Sequence, residues 1–333
     1  MRIGRLLLLL LLVGAAGAAR AESDRVRIVM PYGLAYLPAY VVAYRGLIEA
    51  RAKAAGLGEI TVTLQHMASG PASSDILLAG DADLAMGGFG PAFILWDKTS
   101  GAGKVRVVTP LSSSPIWVLS NDPHIHSIRD FGPNDRIAVS AVKVTAQALA
   151  LQMAAAKEWG WDQRFRLDPN MVSMSNPDGM AMLLSGAGTV RTQAAIIPFS
   201  VEEMDSGKVH MVMNSEDYLE PGTSIAVMYA SAGFHDGSPK LYAAMAAAFE
   251  DAFDFIHQHP HEAAEIYVGR EPQKHDLGWI EAMIADPKMI TYESTPIGLK
   301  KHADFMFAAG TLKRQPASWK DLVWDNMWGK DGS

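Results

Sequence analysis

Two segments of the chain repeat one arrangement of apolar runs, serine, proline and glycine. The first is 62–91, "VTLQHMASGPASSDILLAGDADLAMGGFGP", and the second is 171–199, "MVSMSNPDGMAMLLSGAGTVRTQAAIIPF". Serine favours helix N-termini, proline fits a first helical turn, and glycine fits the position just past the last turn. The repeat therefore predicts strand, helix and strand twice. The markers, with nine residues from proline to glycine in each copy, are Ser69, Pro71 and Gly80, then Ser175, Pro177 and Gly186.

A strand and a helix-compatible stretch precede each copy of the repeat. The strands are 25–30 and 135–140, and the helical stretches are 38–55 and 145–159. Strands that alternate with helices predict parallel sheets with right-handed crossovers, so two such units indicate two α/β domains. The alternative is a coincidental match between two ordinary α/β patterns.

The segments that follow each unit predict how the two domains are connected. Proline and serine precede an apolar strand in 109–122, and proline, glycine and serine do so in 218–231. We expect both segments to cross between the domains and to form a hinge. The remainder, 239–333, has a helical pattern and is expected to pack back on the first domain.

The N-terminus has the features of a secretory signal peptide. Arg2 and Arg5 precede an apolar run, and small residues follow up to Ala21. The apolar run is shorter than the roughly 20 residues that a membrane span needs. We therefore predict export with cleavage after residue 21, and we expect a periplasmic protein.

Cysteine content and charge exclude several classes of function. The chain has no cysteine, which excludes disulfides, cysteine-ligated metals, thiol nucleophiles and a lipid anchor on cysteine. Without the three arginines of the predicted signal peptide, 26 basic residues face 36 acidic ones, so nucleic acid is not an expected partner. Roughly 310 mature residues exceed the usual size of a single core, which also favours two domains.

Four tyrosines spaced four residues apart follow the first predicted strand. Pro38 is predicted to start the helix, because proline is tolerated in a first turn but not in a helix interior. Tyr32 and Tyr36 then lie in the loop that leaves the strand and face a cleft between the domains. Tyr40 and Tyr44 lie on the helix as packing residues. Ligands of open α/β sheets bind beyond the carboxyl ends of the strands, where helix N-termini suit anions.

Five segments, in order along the chain, resemble periplasmic substrate-binding proteins of ABC importers, of the nitrate/sulfonate/taurine (NitT/TauT) type. They are "RIVMPYGLAYLPAYVVAYRGLIE", "LLAGDADLAMGGFGPAFILW", "DRIAVSAVKVTAQALALQMAAAKEWG", "VSMSNPDGMAMLLSG" and "PASWKDLVW". The resemblance implies an α/β, two-lobe periplasmic-binding-protein fold (class II). Each lobe would have a central, mostly parallel sheet flanked by helices, with two interdomain crossings. One departure is "GAGTVRTQ", which stands where the family usually has an acidic residue after the second LxxG turn.

The domain boundaries expected from this resemblance divide the chain into three parts. The signal peptide is 1–21, lobe 1 is 22–112 plus 226–333, and lobe 2 is 113–225. The implied function is capture of a small organic anion or polar heterocycle, similar to a sulfonate, taurine, nitrate or a pyrimidine, and its delivery to a permease and ATPase. A monomer without cofactor or enzymatic activity is expected. A pyrimidine synthase of thiamine biosynthesis shares this fold, but it needs a cysteine-rich iron motif that is absent here.

Two alternatives remain open at this point. The protein could be a periplasmic receptor that reports its ligand to a signalling partner, which gene neighbourhood would distinguish from an importer component. It could also be an exported metal-binding protein, because imidazole suits Zn²⁺ or Cu²⁺ and "HQHPHE" places His257, His259 and His261 at alternate positions. A solvent-facing helix end is the competing interpretation of that segment.

The candidate ligand-binding residues lie in strand-exit loops, at helix starts and at the crossings. Aromatic rings, hydroxyl groups and backbone N–H groups would contact the ligand, and one lysine would neutralise an anion. The candidates are Tyr32, Tyr36, Ser69, Gly70, Gly88, Phe89, Ser113, Lys143, Thr145, Gln147, Pro198, Phe199 and Thr223.

Overall fold

The structure is a computed structural model that describes residues 22–271 and 275–333. The predicted signal peptide, 1–21, lies outside the described residues. Within them, no helix combines the length and the apolar character that a membrane span requires.

The described residues form two five-stranded sheets. Their strands are β1 Arg25–Met30, β2 Thr61–His66, β3 Leu84–Gly88, β4 Val105–Ser113, β5 Trp117–Ser120, β6 Arg136–Val139, β7 Met171–Ser173, β8 Val190–Ala195, β9 His210–Asn214 and β10 Ser224–Ser231. The strand orders are β2-β1-β3-β10-β4 and β7-β6-β8-β5-β9. We call the first sheet with its helices lobe 1, and the second sheet with its helices lobe 2.

Helices cover the sheets. They are α1 Leu37–Arg45, α2 Leu47–Ala54, α3 Gly70–Ala79, α4 Phe89–Lys98, α5 Ala146–Trp159, α6 Asn176–Ser185, α7 Phe199–Asp205, α8 Ala232–Gly237, α9 Pro239–Gln258, α10 Pro260–Val268, α11 Leu277–Ala285 and α12 Leu299–Ala308. Helix α9 packs on α1 and α2, α10 packs on α1, and α12 packs on α4. The C-terminal helices therefore return to lobe 1, as the sequence predicts.

The internal repeat corresponds to β2-α3-β3 in lobe 1 and β7-α6-β8 in lobe 2. Ser69 and Ser175 are the N-cap residues, and their hydroxyls accept from the N–H of the third residue of each helix at 3.4 and 3.3 Å. Gly80 and Gly186 end the helices with φ of +79° and +66°, where a side chain would be strained. The two-lobe α/β fold class is thus confirmed.

Both sheets are mixed. Strands β1, β2 and β3 are parallel to one another, as are β6, β7 and β8. Strand β10 is antiparallel to β3 and β4, and β5 is antiparallel to β8 and β9. The chain reaches β5 and β10 directly from the other lobe. In its sheet, each of these strands lies beside one of the three parallel strands, β5 beside β8 and β10 beside β3. The chain changes sheet between β4 and β5 and again between β9 and β10. The predicted lobe boundaries near these places stay a prediction.

The tyrosine segment forms a short 3-10 turn and then two helices. Helix α1 has proline in its first turn, and Gly46, with φ of +61°, separates it from α2. Tyr40 is buried, as predicted for a packing residue. The packing prediction for Tyr44 is wrong, because its side chain is 59% exposed and lies beneath the Arg270 guanidinium at 5.3 Å.

Glu203, on α7, is a fully buried carboxyl group in lobe 2. Neither of its oxygens has a hydrogen-bond partner within the described residues. Burial raises the pKa of Glu203 well above its usual value, and the neighbouring charge of Glu202 adds to that effect. The folded protein therefore releases this proton at a higher pH than the unfolded chain does.

We expect Glu203→Gln to raise the free energy of unfolding by about 1–2 kcal/mol at pH 7, with no gain below pH 4. As pH rises through the usual carboxyl pKa, the unfolded wild-type chain loses its proton while the folded chain retains it. Folding of the wild type therefore loses stability over that interval, whereas glutamine has no proton to lose. Urea unfolding from pH 3 to pH 8 measures the difference, with Glu216→Gln, an exposed position in the same lobe, as the control. A gain that is constant across this range would contradict the prediction.

Candidate functional site

A small cavity lies between the lobes, at the carboxyl ends of the parallel strands. Its volume is about 30 Å³, which is roughly the space of two or three water molecules at about 10–15 Å³ each. Both lobes contribute residues to its wall. They are Pro31, Ala35, Tyr36, Gly70, Gly88, Ile225 and Ala226 from lobe 1, and Ser140, Thr145, Ala146, Gln147, Asn176 and Ile196 from lobe 2.

Four helices begin at this cavity. Helices α3 and α4 start at Gly70 and directly after Gly88, and α5 and α6 start at Ala146 and Asn176. The first N–H groups of a helix have no partner within the helix, and they carry a partial positive charge. The cavity wall therefore offers N–H donors from both lobes, a geometry that suits an anion.

A chain of side-chain hydrogen bonds orders the lobe 2 wall. The Ser140 hydroxyl donates to Gln147 Oε1 at 2.9 Å, and Gln147 Nε2 donates to Asn176 Oδ1 at 3.1 Å. Gln193 Nε2 fixes the same turn by donating to the Asn176 carbonyl oxygen at 3.1 Å. Because Asn176 uses its Oδ1 as an acceptor in this chain, its amide Nδ2 remains available as a donor in a residue that lines the cavity.

Tyr36 supplies a donor from lobe 1. Its side chain is 5% exposed, and within the described residues its hydroxyl makes no hydrogen bond. Burial raises the pKa of Tyr36, with smaller contributions from Tyr229 and Glu271. The hydroxyl therefore keeps its proton at neutral pH and is available to donate to a bound solute.

The cavity wall contains no lysine, arginine, histidine, aspartate or glutamate among the described residues. Polarity comes instead from hydroxyl groups, amides and the starts of helices. Such a wall can hold a single, delocalised negative charge or a neutral polar group. It lacks the basic side chains that a multiply charged anion such as phosphate would need.

The lobes touch directly at the rim of the cavity. The Leu34 backbone N–H in lobe 1 donates to the Ile197 carbonyl oxygen in lobe 2 at 3.2 Å. A Cβ atom added to Gly90 would lie 1.9 Å from the carbonyl oxygen of Val144. The absence of a side chain at Gly90 therefore permits this closed arrangement of the lobes.

A second set of contacts joins the lobes on the outer side. Trp279 Nε1, at the start of α11, donates to Asp205 Oδ2 at the end of α7, at 2.8 Å. His275 stacks on Trp279 with ring centroids 3.9 Å apart, and its Nε2 lies 3.7 Å from Glu202 Oε2. These contacts connect lobe 1 to α7 of lobe 2 away from the cavity wall.

The structure brings five of the predicted site residues together at the cavity, namely Tyr36, Gly70, Gly88, Thr145 and Gln147. Ser113 and Thr223 line a different cavity of about 60 Å³ at the crossings. The hydroxyls of these two residues donate to nearby backbone carbonyls, from Ser113 to Gly222 at 2.8 Å and from Thr223 to Glu220 at 2.6 Å.

Three aromatic candidates do not line the cavity. The Phe89 ring is fully buried, and it packs on Phe93 and on His302, whose pKa burial lowers to about 4. Phe89 therefore belongs to the core of lobe 1. Tyr32 is half-buried and stacks on a histidine, and Phe199 is buried at the seam between the lobes, beside Gly33.

The remaining candidates are also placed away from the cavity. Ser69 acts as a helix cap, and buried Pro198 precedes α7. Lys143 is exposed, because its φ of +70° turns the residue outward from the β6–α5 loop. Burial raises the pKa of Asp168, and a hydrogen bond from Gln152 and the charge of Lys143 oppose that rise. Lys143 does not line the cavity, whose described wall has helix N-termini instead, and its contact with a bound anion stays a prediction.

Sequence reasoning missed Asn176, although the repeat contained the signal. The residue between serine and proline is Gly70 in the first copy and Asn176 in the second. Because the copies are structurally equivalent, selecting Gly70 implied Asn176. Ser140 and Ile196, which directly follow the lobe 2 strands β6 and β8, were also not selected.

The histidine-rich segment does not form a metal centre in the structure. Within 22–271 and 275–333, no group of three histidine or acidic side chains is arranged to hold a metal ion. His259 Nδ1 pairs with Glu262 at 3.1 Å, and His261 Nδ1 pairs with Glu281 at 2.7 Å. His259 lies at the break between α9 and α10, and His261 lies in the first turn of α10, so the two rings have separate partners.

No protein-family model matches the chain, and no curated protein does. Solved structures do match it. The alkanesulfonate-binding protein SsuA from Xanthomonas axonopodis pv. citri, bound to MOPS, has a TM-score of 0.71 at 16% identity, covering 91% of this chain and 99% of that one. The periplasmic nitrate-binding protein NrtA from Synechocystis PCC 6803 has a TM-score of 0.72 at 14% identity, covering 92% and 88%.

A third match supports the same fold. The periplasmic aliphatic sulphonate binding protein SsuA from Escherichia coli has a TM-score of 0.65 at 16% identity, covering 92% of this chain and 99% of that one. The likeness extends over both lobes and confirms the resemblance that the sequence indicated. The chain therefore has the two-lobe fold of the periplasmic substrate-binding proteins, and its structural neighbours include sulfonate- and nitrate-binding members of the nitrate/sulfonate/taurine type.

Proposed function

We propose that this protein is the solute-binding component of an ABC importer, with a binding rather than a catalytic role. It captures a compact oxyanion between its lobes and delivers it to a membrane permease that an ATPase subunit drives. It acts as a monomer in the periplasm after removal of residues 1–21. The structural neighbours with sulfonate- and nitrate-binding roles support this proposal.

One observation carries the choice of ligand class. Four helix N-termini, two from each lobe, open on a cavity whose described wall contains no charged side chain. Nitrate and small sulfonates carry one delocalised charge that several N–H donors can share. The cavity volume of about 30 Å³ favours compact members of this class over pyrimidine rings.

The test is a thermal unfolding series with sodium nitrate, methanesulfonate, taurine and a pyrimidine, each against sodium chloride at equal ionic strength. A solute present at 100 times its Kd stabilises the folded state by about 2.7 kcal/mol, so a bound oxyanion raises the unfolding temperature by several degrees. We expect nitrate or methanesulfonate to do so. If only the pyrimidine raised the unfolding temperature, the ligand would be a heterocycle and not an oxyanion. If no solute raised it, the proposal would be contradicted.

Tyr36→Phe is expected to weaken binding of the stabilising oxyanion by about 3- to 10-fold. The variant removes one hydroxyl donor, which is worth about 0.5–1.5 kcal/mol, and it leaves the ring packing in place. Isothermal titration measures the change. Tyr242→Phe, which removes a lobe 1 hydroxyl bonded to Asn326 at 2.8 Å, is the control that should retain wild-type affinity. Equal affinity in Tyr36→Phe and the wild type would remove the hydroxyl from the site.

A further inference from the structure

Glu271 is a buried carboxylate behind the loop that leaves β1. Its side chain is 4% exposed, and it lies in lobe 1 outside the cavity wall. It accepts hydrogen bonds from the Gly33 backbone N–H at 3.0 Å, from the Tyr40 hydroxyl, and from the Tyr267 hydroxyl at 2.9 Å. The three donors come from the β1 exit loop, α1 and α10, so Glu271 connects two helices to this loop.

The loop held by Glu271 forms part of the cavity and of the seam. Gly33 has φ of +123°, and the next residue, Leu34, donates its N–H across the seam to Ile197. Ala35 and Tyr36 then line the cavity. The position of Gly33 therefore sets both the contact with lobe 2 and the place of the Tyr36 hydroxyl.

Other buried side chains fix the residues that follow Gly33. The Tyr292 hydroxyl donates to the Leu34 carbonyl oxygen at 3.0 Å, and the Ser112 hydroxyl donates to the Ala35 carbonyl oxygen at 3.1 Å. These bonds constrain carbonyl groups, whereas Glu271 orients an N–H. Without Glu271 as acceptor, the Gly33 N–H would be buried and unpaired. The carboxylate therefore fixes the orientation of the peptide unit that carries this N–H.

The hydrogen bonds of Glu271 extend through Tyr40 to a histidine. The Tyr40 hydroxyl donates its single proton to Glu271 Oε1. His66 Nε2 lies 2.5 Å from the Tyr40 oxygen and must then be the donor in that contact. Tyr32 stacks on His66 with ring centroids 4.5 Å apart, which extends the ordered network to the neighbour of Gly33.

We propose that Glu271 is a positioning residue, whose carboxylate holds the 32–36 loop in the conformation that reaches lobe 2 and presents Tyr36 to the ligand. The part of this inference that concerns the ligand rests on the proposed binding function. The arrangement of the loop itself can be tested without any ligand.

The test uses hydrogen exchange of segment 32–36, measured by mass spectrometry on the full mature protein without added solute. Glu271→Ala is expected to accelerate exchange in this segment at least about 10-fold, because the Gly33 N–H loses its acceptor. Glu271→Gln is expected to restore slow exchange, since its carbonyl oxygen can accept from Gly33 and Tyr40 while its amide donates to the Tyr267 oxygen. This rescue distinguishes positioning from a general need for a charged group.

Tyr267→Phe is the matched control. It removes a hydrogen bond from the other carboxylate oxygen, so it changes stability without touching Gly33, and exchange of 32–36 should stay within about 3-fold of the wild type. If Glu271→Ala does not fold, Glu271→Asp replaces it, because the shorter side chain keeps the charge but does not reach the Gly33 N–H. Slow exchange in both short variants, or equally fast exchange in Tyr267→Phe, would overturn the proposal.

A second readout connects the loop to binding. Titration with sodium nitrate is expected to show about 10-fold weaker affinity in Glu271→Ala and Glu271→Asp, and near-normal affinity in Glu271→Gln. Faster exchange in the short variants with unchanged nitrate affinity would overturn the claim that this loop presents Tyr36. If the wild-type protein does not bind nitrate, only the proposed ligand class is contradicted. The exchange experiment still tests the role of Glu271, because it uses no ligand.

Discussion

Asn176→Asp is expected to reduce the affinity for nitrate or methanesulfonate by at least about 100-fold while the protein remains folded. The substitution keeps the size of the side chain and the oxygen that accepts from Gln147. It replaces the Nδ2 donor at the cavity wall with a negatively charged oxygen. Two like charges about 4 Å apart repel by roughly 4 kcal/mol at an effective dielectric constant of 20, and every 1.4 kcal/mol is tenfold in affinity.

The fold should tolerate this substitution. The new carboxylate would stand in the first turn of α6, where a negative charge interacts favourably with the helix dipole. Asn214→Asp is the matched control, because Asn214 caps a 3-10 turn in the same lobe and accepts from the Glu216 N–H at 3.1 Å. It adds the same charge away from the cavity and should bind normally. Equal affinity in Asn176→Asp and Asn214→Asp would contradict an oxyanion site at α6.

Gly90→Ala is expected to weaken the binding of the same oxyanion by about 30- to 150-fold through a different mechanism. Its Cβ would lie 1.9 Å from the Val144 carbonyl oxygen and 3.0 Å from a Leu149 methyl group, both in lobe 2. A backbone atom has little freedom to move away, so the closed arrangement is destabilised by about 2–3 kcal/mol. Affinity falls in proportion to the population of the closed state.

Small-angle scattering separates this mechanism from a local change in the cavity. With saturating nitrate the wild type should contract, whereas Gly90→Ala should keep the larger radius of gyration of its solute-free form. Gly237→Ala is the control, since a Cβ at that position meets no atom within 4 Å. Wild-type affinity together with wild-type contraction in Gly90→Ala would show that lobe closure does not require this contact.

The parts of the fold that could be predicted from sequence are those with local signals. Serine, proline and glycine at fixed spacing marked the boundaries of α3 and α6, because caps and left-handed turns depend on a few neighbouring residues. The antiparallel insertion of β10 and β5 could not be deduced in this way, since it depends on pairing between residues far apart in the chain. The exposure of Tyr44 likewise depends on parts of the chain that are far apart in sequence. Its ring lies on the surface beneath Arg270, which follows α10.

The residues at the candidate cavity could be predicted from sequence to the extent that they depend on backbone position. Gly70, Gly88 and Thr145 follow from strand exits and helix starts, which the repeat identifies. Lys143 was selected for its charge, but a left-handed backbone conformation at this lysine turns it outward, and its sequence gives no sign of that conformation. Asn176 lacked a charge and was overlooked, although it occupies the position equivalent to Gly70.

The proposed oxyanion would bind between the two lobes, with donors from both. A crystal structure of the wild-type protein grown with nitrate or methanesulfonate would show this site. We expect electron density for the anion between the Tyr36 hydroxyl and the Asn176 amide, with Leu34 still bonded to Ile197. Density for the anion in the cavity beside Thr223, or lobes that stay apart around an empty cleft, would contradict it.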